Sequence, residues 1–262
     1  MLTLNEDRAH FSHSQLITML SCPHKYYLQY VEKREWDYLP SAVSFGSAIH
    51  ESIKDFHKAL QNGGAKDKST YTDAFRELFI EDADESNVKF KDDAEFDELL
   101  VKGETLVTEY VDSFQQLKPL EVEMEFRLPL VNTFTGELAD KDIVGRIDMI
   151  SEDGEIYELK TGSSSLPLKS VDENLQLVLY GWSFRMLFGT APQKLVLVNL
   201  IKTKKPKIQV LDTSIDEQKE KKLMHLMFRV NEAIEKECFY PNPRGMFGCG
   251  GCSYGLSCEY GL

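Results

Sequence analysis

Residues 145–161, GRIDMISEDGEIYELKT, constrain the fold more than any other stretch of the chain. Two runs of strand-forming residues flank Glu152-Asp153-Gly154, which has the chemistry of a hairpin turn. The first run, 143–150, sets Asp148 among Ile147, Met149 and Ile150. The second, 155–161, alternates Ile156, Glu158 and Lys160 on one face with Tyr157 and Leu159 on the other. Glu158 and Lys160 therefore project the same way, roughly 6–7 Å apart, and Asp148 on the neighbouring strand can face both. Three charges side by side on a sheet are costly unless they pair or bind a metal. Oxygen ligands around a hard cation relieve that cost. A lysine beyond the second carboxylate can then hold a water or a phosphate oxygen, which suits metal-assisted hydrolysis of a phosphodiester. A surface hairpin with a cross-strand ion pair fits the same string, so the rest of the chain must decide.

The 262 residues allow one large domain or two small ones. No run approaches the roughly 18 apolar residues of a membrane span. The start, MLTLNEDRAHF, has neither a basic n-region nor an apolar h-region, so a cytoplasmic protein with no membrane association is expected. A net charge of −13 argues against broad, non-specific coating of nucleic acid but leaves room for a narrow basic groove. Part of the acidity lies in 81–98, which reads as a solvated loop and helix start.

In chain order, 11–31 reads as a helical hairpin or broken helix with an apolar stripe of Leu16, Ile17 and Leu20. Pro23 opens its second helix, which carries Tyr26, Tyr27, Leu28 and Tyr30. Cys22 sits just before that helix N-terminus, where a thiolate is favoured. A helix over 44–60 places Ile49, Ile53, Phe56 and Leu60 at core spacing. In it, Gly46 permits close backbone approach, and His50 reads either as a packed helix histidine or as a ligand. A loop over 61–69 precedes helices at 71–79 and 94–117, the second with Leu99, Val101, Leu106, Tyr110 and Phe114 as its apolar face.

Period two then takes over at 120–131, with Val122, Met124, Phe126, Leu128 and Leu130 on one face and Glu121, Glu123 and Glu125 on the other. After the hairpin, 161–169 is a Ser-rich loop and 172–188 an amphipathic helix built on Leu175, Leu179, Trp182 and Met186. Gln176 and Tyr180, four apart, share one face of it. Strands at 195–201 and 208–211 flank Lys202, Lys204, Lys205 and Lys207, a basic turn that either touches a phosphate backbone or is a solvated tip. A helix over 215–238 follows, with Leu223, Leu226, Met227, Val230 and Ile234 on its core side.

The tail, 239–262, is rich in Gly and Pro and lacks periodicity, so a metal cluster is its natural organiser. Cys249, Cys252 and Cys258 read C-x2-C-x5-C, which in a reducing compartment indicates metal binding. Cys22 or Cys238 can supply a fourth thiolate, and four thiolates suit zinc as well as an iron–sulfur cluster.

The strings FGSAIHE (45–51), VEMEF (122–126), GRIDMI (145–150), YELKTG (157–162) and QLVLYGW (176–182), in that order, resemble the PD-(D/E)XK nuclease superfamily. With the four cysteines they look most like its RecB-like iron–sulfur branch, which includes the AddB nuclease domain, CRISPR-associated RecB-like exonucleases and phage relatives. The resemblance implies an α/β, restriction-endonuclease-like core with a central mixed sheet flanked by helices. It implies one nuclease domain over 1–262, made of an N-terminal helical part (1–118), a nuclease core (119–238) and an iron–sulfur tail (239–262) packed with Cys22. It implies metal ligation of Mg²⁺ or Mn²⁺ by His50, Asp148, Glu158 and the Leu159 carbonyl, with Lys160 as the catalytic lysine. The imidazole favours tolerance of Mn²⁺. Gln176 and Tyr180 would position DNA or the active-site groups, and Cys22, Cys249, Cys252 and Cys258 would hold a [4Fe–4S] cluster. Which of Glu121, Glu123 and Glu125 matches the family's strand glutamate stays open, and Cys238 is a plain helix cysteine.

The implied activity is an exonuclease on single-stranded DNA ends, serving recombination, repair or CRISPR adaptation. Its alternative is a non-catalytic iron–sulfur subunit that holds DNA ends in a larger complex. No GxxxxGK[ST] phosphate loop is present, so any unwinding belongs to a helicase partner. A site-specific endonuclease would need a recognition domain, and none is visible in the sequence.

Overall fold

A computed structural model describes residues 9–65, 67–245 and 248–261. The chain begins with a short strand, β1 (His10–Ser12), and α1 (His13–Ser21), joined by a capping box in which the Ser12 and Gln15 side chains bond each other's backbone N–H groups. Pro23 starts α2 (Pro23–Tyr26), which continues as a π-helical turn, Tyr27–Val31. Next come β2 (Leu39–Pro40), α3 (Ser41–Gln61), α4 (Lys68–Glu85), β3 (Val88–Lys89) and α5 (Glu95–Phe114). The chain then enters β4 (Pro119–Val131), β5 (Leu138–Ser151) and β6 (Glu155–Gly162). It closes with α6 (Leu168–Asp172), α7 (Leu175–Phe188), β7 (Lys194–Ile201), β8 (Lys207–Thr213) and α8 (Glu217–Glu235).

A mixed six-stranded sheet is the centre, in the order β1-β5-β6-β7-β8 with β4 also on β5. β7 reads KLVLVNLI because it lies between β6 and β8 with helices over both faces. Its alternate side chains feed two clusters: Leu195 and Leu197 join one, and Val196, Val198 and Leu200 the other. The first cluster carries α1, α7 and α8 through Leu16, Trp182 and Leu223, and the second carries α3, α4 and α5 through Ile49, Phe75 and Leu106. An α/β fold with a central mixed sheet between helices is what the sequence predicts.

Several details differ from the sequence expectation. The acidic stretch after 81 is no loop at first, because α4 runs on to Glu85. The helix expected over 172–188 is two, broken where the Asn174 side chain caps α7 by accepting from the Gln176 and Leu177 amides. α7 is buried on nearly every side and Met186 is exposed, so it is a core helix rather than an amphipathic one. Val101 and Leu20 are exposed, and their stripes are carried instead by Val107 on α5 and Met19 on α1. The five apolar residues of β4 do not share one face. Val122 packs in the cluster of α3–α5, whereas Met124, Phe126, Leu128 and Leu130 pack in the other. Glu123 between them has φ 57°, a left-handed backbone that breaks the alternation.

Phe75 of α4 lies over Gly103 of α5, and a Cβ built on Gly103 would fall 2.0 Å from the ring. Gly103→Ala should therefore destabilise the fold by about 1–3 kcal/mol in urea denaturation, although alanine is the better helix former. An unchanged or higher midpoint would contradict this packing.

Candidate active site

β4 lines one edge of β5 along most of its length. On the other edge, β1 pairs with residues 142–144 and β6 with Met149 and Ile150. Among the described residues, no strand covers 145–148 on that edge, and a cleft opens there. Side chains take up the backbone groups that face it: Tyr180 Oη donates to the Arg146 carbonyl of β5 (2.6 Å), and Asp148 Oδ2 accepts the Leu159 N–H of β6 (2.8 Å).

The registers align the acids. One step beyond the Met149–Tyr157 pair sets Glu158 opposite Asp148. Glu123 falls opposite Asp148 from the other side, between the Val122–Met149 and Met124–Ile147 pairs. Three carboxylates thus cross three strands in one row. α3 covers the row because Gly46 lets it approach β6: a Cβ there would meet Thr161 Oγ1 at 3.2 Å. That approach brings His50 Nδ1 to 3.8 Å from Asp148 Oδ2, and the His50 ring also bonds the Leu159 carbonyl. His50, Asp148, Glu158 and the Leu159 carbonyl, inferred from three separate strings, stand together.

Lys160 begins a second chain of contacts. Its Nζ donates to Glu158 Oε1 (2.5 Å) and Gln176 Oε1 (2.7 Å). Gln176 Nε2 donates to Tyr180 Oη (2.8 Å), which in turn donates to the Arg146 carbonyl. Burial raises the Tyr180 phenol far above its usual value, so it stays a donor. The orientation of the Gln176 amide follows: its nitrogen must face Tyr180, leaving its oxygen for Lys160.

Burial dominates the electrostatics. Glu158 is 1% exposed, and its Oε2 has no hydrogen-bond partner. Desolvation pushes its carboxyl up to about 8; the Lys160 ammonium opposes this and Asp148 adds to it. Burial lowers His50 against the pull of Asp148, leaving a neutral ring able to act as a ligand. Among the described residues, no three His, Cys, Asp or Glu side chains are close enough to grip a metal as they stand.

Two contributors, Arg146 and His13, escape the sequence reading, which leaves a third, Glu123, open among three glutamates. Glu123 is the strand glutamate that reaches the row, whereas Glu121 and Glu125 are exposed. Its positive φ has no marker in the string VEMEF. Arg146 Nε lies 2.6 Å from Glu123 Oε2. His13, the first residue of α1, follows the strand that borders the cleft; burial and the Lys160 charge lower its pKa to about 4. An unpaired segment of β5 cannot be foreseen from alternation, so neither can its neighbours.

The remaining candidates lie elsewhere. Lys204, Lys205 and Lys207 are exposed at the β7–β8 turn, while Lys202 Nζ sits 4.6 Å over the Phe45 ring. Cys22, Cys249, Cys252 and Cys258 line one cavity of about 40 Å³, where the Asn242 N–H donates to Cys22 Sγ (3.3 Å). Cys238 is exposed and does not line it.

Glu158 supplies a pH test. Its folded pKa of about 8 lies above the unfolded value near 4.5, so the native state holds a proton that the unfolded chain releases as pH rises. Its contribution to stability is present below about 4.5 and lost as pH rises towards 8. In EDTA, the stability of Glu158→Gln relative to the unsubstituted protein should increase from pH 5.5 to pH 8, by on the order of 1 kcal/mol or more in urea denaturation. A difference independent of pH would contradict the buried, proton-holding carboxyl.

The family model of the PD-(D/E)XK nuclease superfamily matches residues 10–259. No curated protein matches the sequence. Among solved structures, a Eubacterium rectale protein provisionally named an exonuclease superposes with a TM-score of 0.58 at 11% identity, over 97% of this chain and 90% of its own, a likeness of fold. SSO0001 (TM-score 0.38, 16% identity, 92% of this chain and 96% of that one) and LHK-Exo in complex with dAMP (0.27, 9%, 77% and 91%) are too distant to carry an argument. No described helix is long and apolar enough to cross a membrane. The chain belongs to the PD-(D/E)XK nuclease superfamily.

Proposed function

We propose that this chain is a divalent-metal-dependent deoxyribonuclease of the RecB-like branch that removes nucleotides from single-stranded DNA ends in recombination, repair or CRISPR adaptation. The observation that carries the proposal is the carboxylate row facing an unpaired strand edge, with Lys160 held against it. The donor set fits Mg²⁺ or Mn²⁺: acidic oxygens, a carbonyl, a neutral imidazole, and a buried Glu158 oxygen with no partner. Asp148, Glu158, His50 and the Leu159 carbonyl would hold the ion, and Glu123 is placed to join them. Such an ion, when bound, polarises a phosphate oxygen and lowers the pKa of water.

The chain's own groups do the rest. Asp148 is fixed by the Leu159 amide, so it meets a cation without reorganising. Lys160 offers an ammonium to the attacked phosphate, where negative charge grows. Gln176, locked by Tyr180, holds that ammonium in place. The exposed lysines 204, 205 and 207 give a strand further phosphate contacts away from the cleft.

We extend the proposal to a [4Fe–4S] cluster on Cys22, Cys249, Cys252 and Cys258, and to a single domain over 1–262 closed by that cluster. Four thiols around one cavity, one of them receiving an amide N–H, support the assignment. Purified protein should be brown and contain iron, and Cys249→Ser should bleach it and lower its stability by a few kcal/mol. Colourless, zinc-loaded protein of equal stability would refute the cluster.

The activity test uses Mn²⁺ with end-labelled linear and circular single-stranded DNA. Linear DNA should be shortened from its ends and the circle spared. Glu158→Ala and Lys160→Ala should each lower the rate by at least about 10²-fold, with the fold retained. Full activity in Glu158→Ala would refute the assignment.

A further inference from the structure

Arg146 lies on the unpaired stretch of β5, and its backbone is pinned there by Tyr180. Its Nε stands 2.6 Å from Glu123 Oε2, yet that oxygen is buried with no aligned hydrogen bond. The contact is therefore Coulombic attraction without the directional bond that makes arginine–carboxylate pairs strong. The Glu123 carboxyl is raised by burial; Arg146 works against this and the Asp148 charge adds to it. The Arg146 side chain is itself 57% exposed. It borders an open groove of about 700 Å³ beside the cleft, shared with Ser12, Glu125, Phe126 and Arg127. Arg127 is engaged by the buried Asp142 at 2.8 Å, so Arg146 is the groove guanidinium that can turn.

We infer that Arg146 is a stand-in counter-ion for the carboxylate row: a divalent cation displaces it from Glu123, and the freed guanidinium then takes a backbone phosphate of the strand in the groove. This rests on the metal site proposed above. The magnitudes favour displacement. A half-exposed, poorly aligned ion pair contributes up to about fivefold in an equilibrium constant, whereas a divalent cation meets several acidic oxygens at once. The phosphate contact made afterwards is a charge-assisted one of the kind arginine makes best. Metal occupancy and strand binding would thus strengthen each other, with Arg146 as a positioning residue between them.

The test measures Mn²⁺ affinity of the full chain without DNA, by electron paramagnetic resonance titration, and oligonucleotide affinity by fluorescence anisotropy in EDTA and in Ca²⁺. Arg146→Ala should bind Mn²⁺ roughly three- to fivefold more tightly, because the competitor is gone. Arg146→Gln should move the same way, and Arg146→Lys should restore the original affinity. Ca²⁺ should tighten oligonucleotide binding to the unsubstituted protein and fail to do so in Arg146→Ala. Asp148→Ala should lose Mn²⁺ binding in every case. Unchanged or weaker Mn²⁺ binding in Arg146→Ala and Arg146→Gln, with Asp148→Ala defective, would overturn the role of Arg146 alone. Mn²⁺ binding that survives Asp148→Ala would overturn the metal site and this inference with it.

Discussion

The bond from the Leu159 amide to the Asp148 carboxylate is the constraint on which the site depends. An antiparallel ladder would normally spend that amide on a strand carbonyl. Here the ladder between β5 and β6 stops at Met149–Tyr157, and the carboxylate takes over. Two consequences follow from one substitution of partner. The strands part, so the edge of β5 from 145 to 148 opens between β1 and β6. Asp148 is held in place by that amide, while Glu158 opposite it is left with a buried oxygen that protein does not satisfy. A buried carboxyl oxygen with no hydrogen-bond partner is a costly group for a fold to carry. Such a cost persists where a ligand offsets it.

The supporting structure is arranged to hold that opening. β7 and the two apolar clusters fix β6 from behind, and α3 fixes it from above through Gly46. α7 carries Gln176 and Tyr180 into the cleft while Leu177, Leu179, Trp182 and Phe184 anchor it in the apolar cluster. The tail is tied to the segment between the π-helical turn and β2 by bonds that need no metal. Leu256 and Ser257 amides donate to Asp37, Tyr38 Oη donates to the Cys252 carbonyl, and Tyr254 is fully buried and reaches the Arg34 carbonyl. These contacts bring three cysteines of the tail to the cavity that Cys22 borders.

The sheet, its strand order around the hairpin and the grouping of His50, Asp148, Glu158 and Lys160 were legible because each rests on period two or on a short string. What was illegible has a common cause. Glu123 turns into the row through a left-handed backbone that glutamate rarely adopts, and nothing in VEMEF marks it. The same kink moves Val122 to the far face from Met124. Arg146 and His13 matter because a strand partner is missing beside them, a property of three strands together. The break before α7 was written in the sequence, since Asn174 is a good cap, but the apolar run that follows it drew attention from the boundary.

Crystals soaked in Mn²⁺ address the central claim most directly, through the anomalous scattering of the metal. A peak bridging Asp148 and Glu158, within reach of His50, is expected, with Lys160 withdrawn from Glu158. No peak in the cleft, or one that leaves the Glu158 oxygen bare, would contradict it.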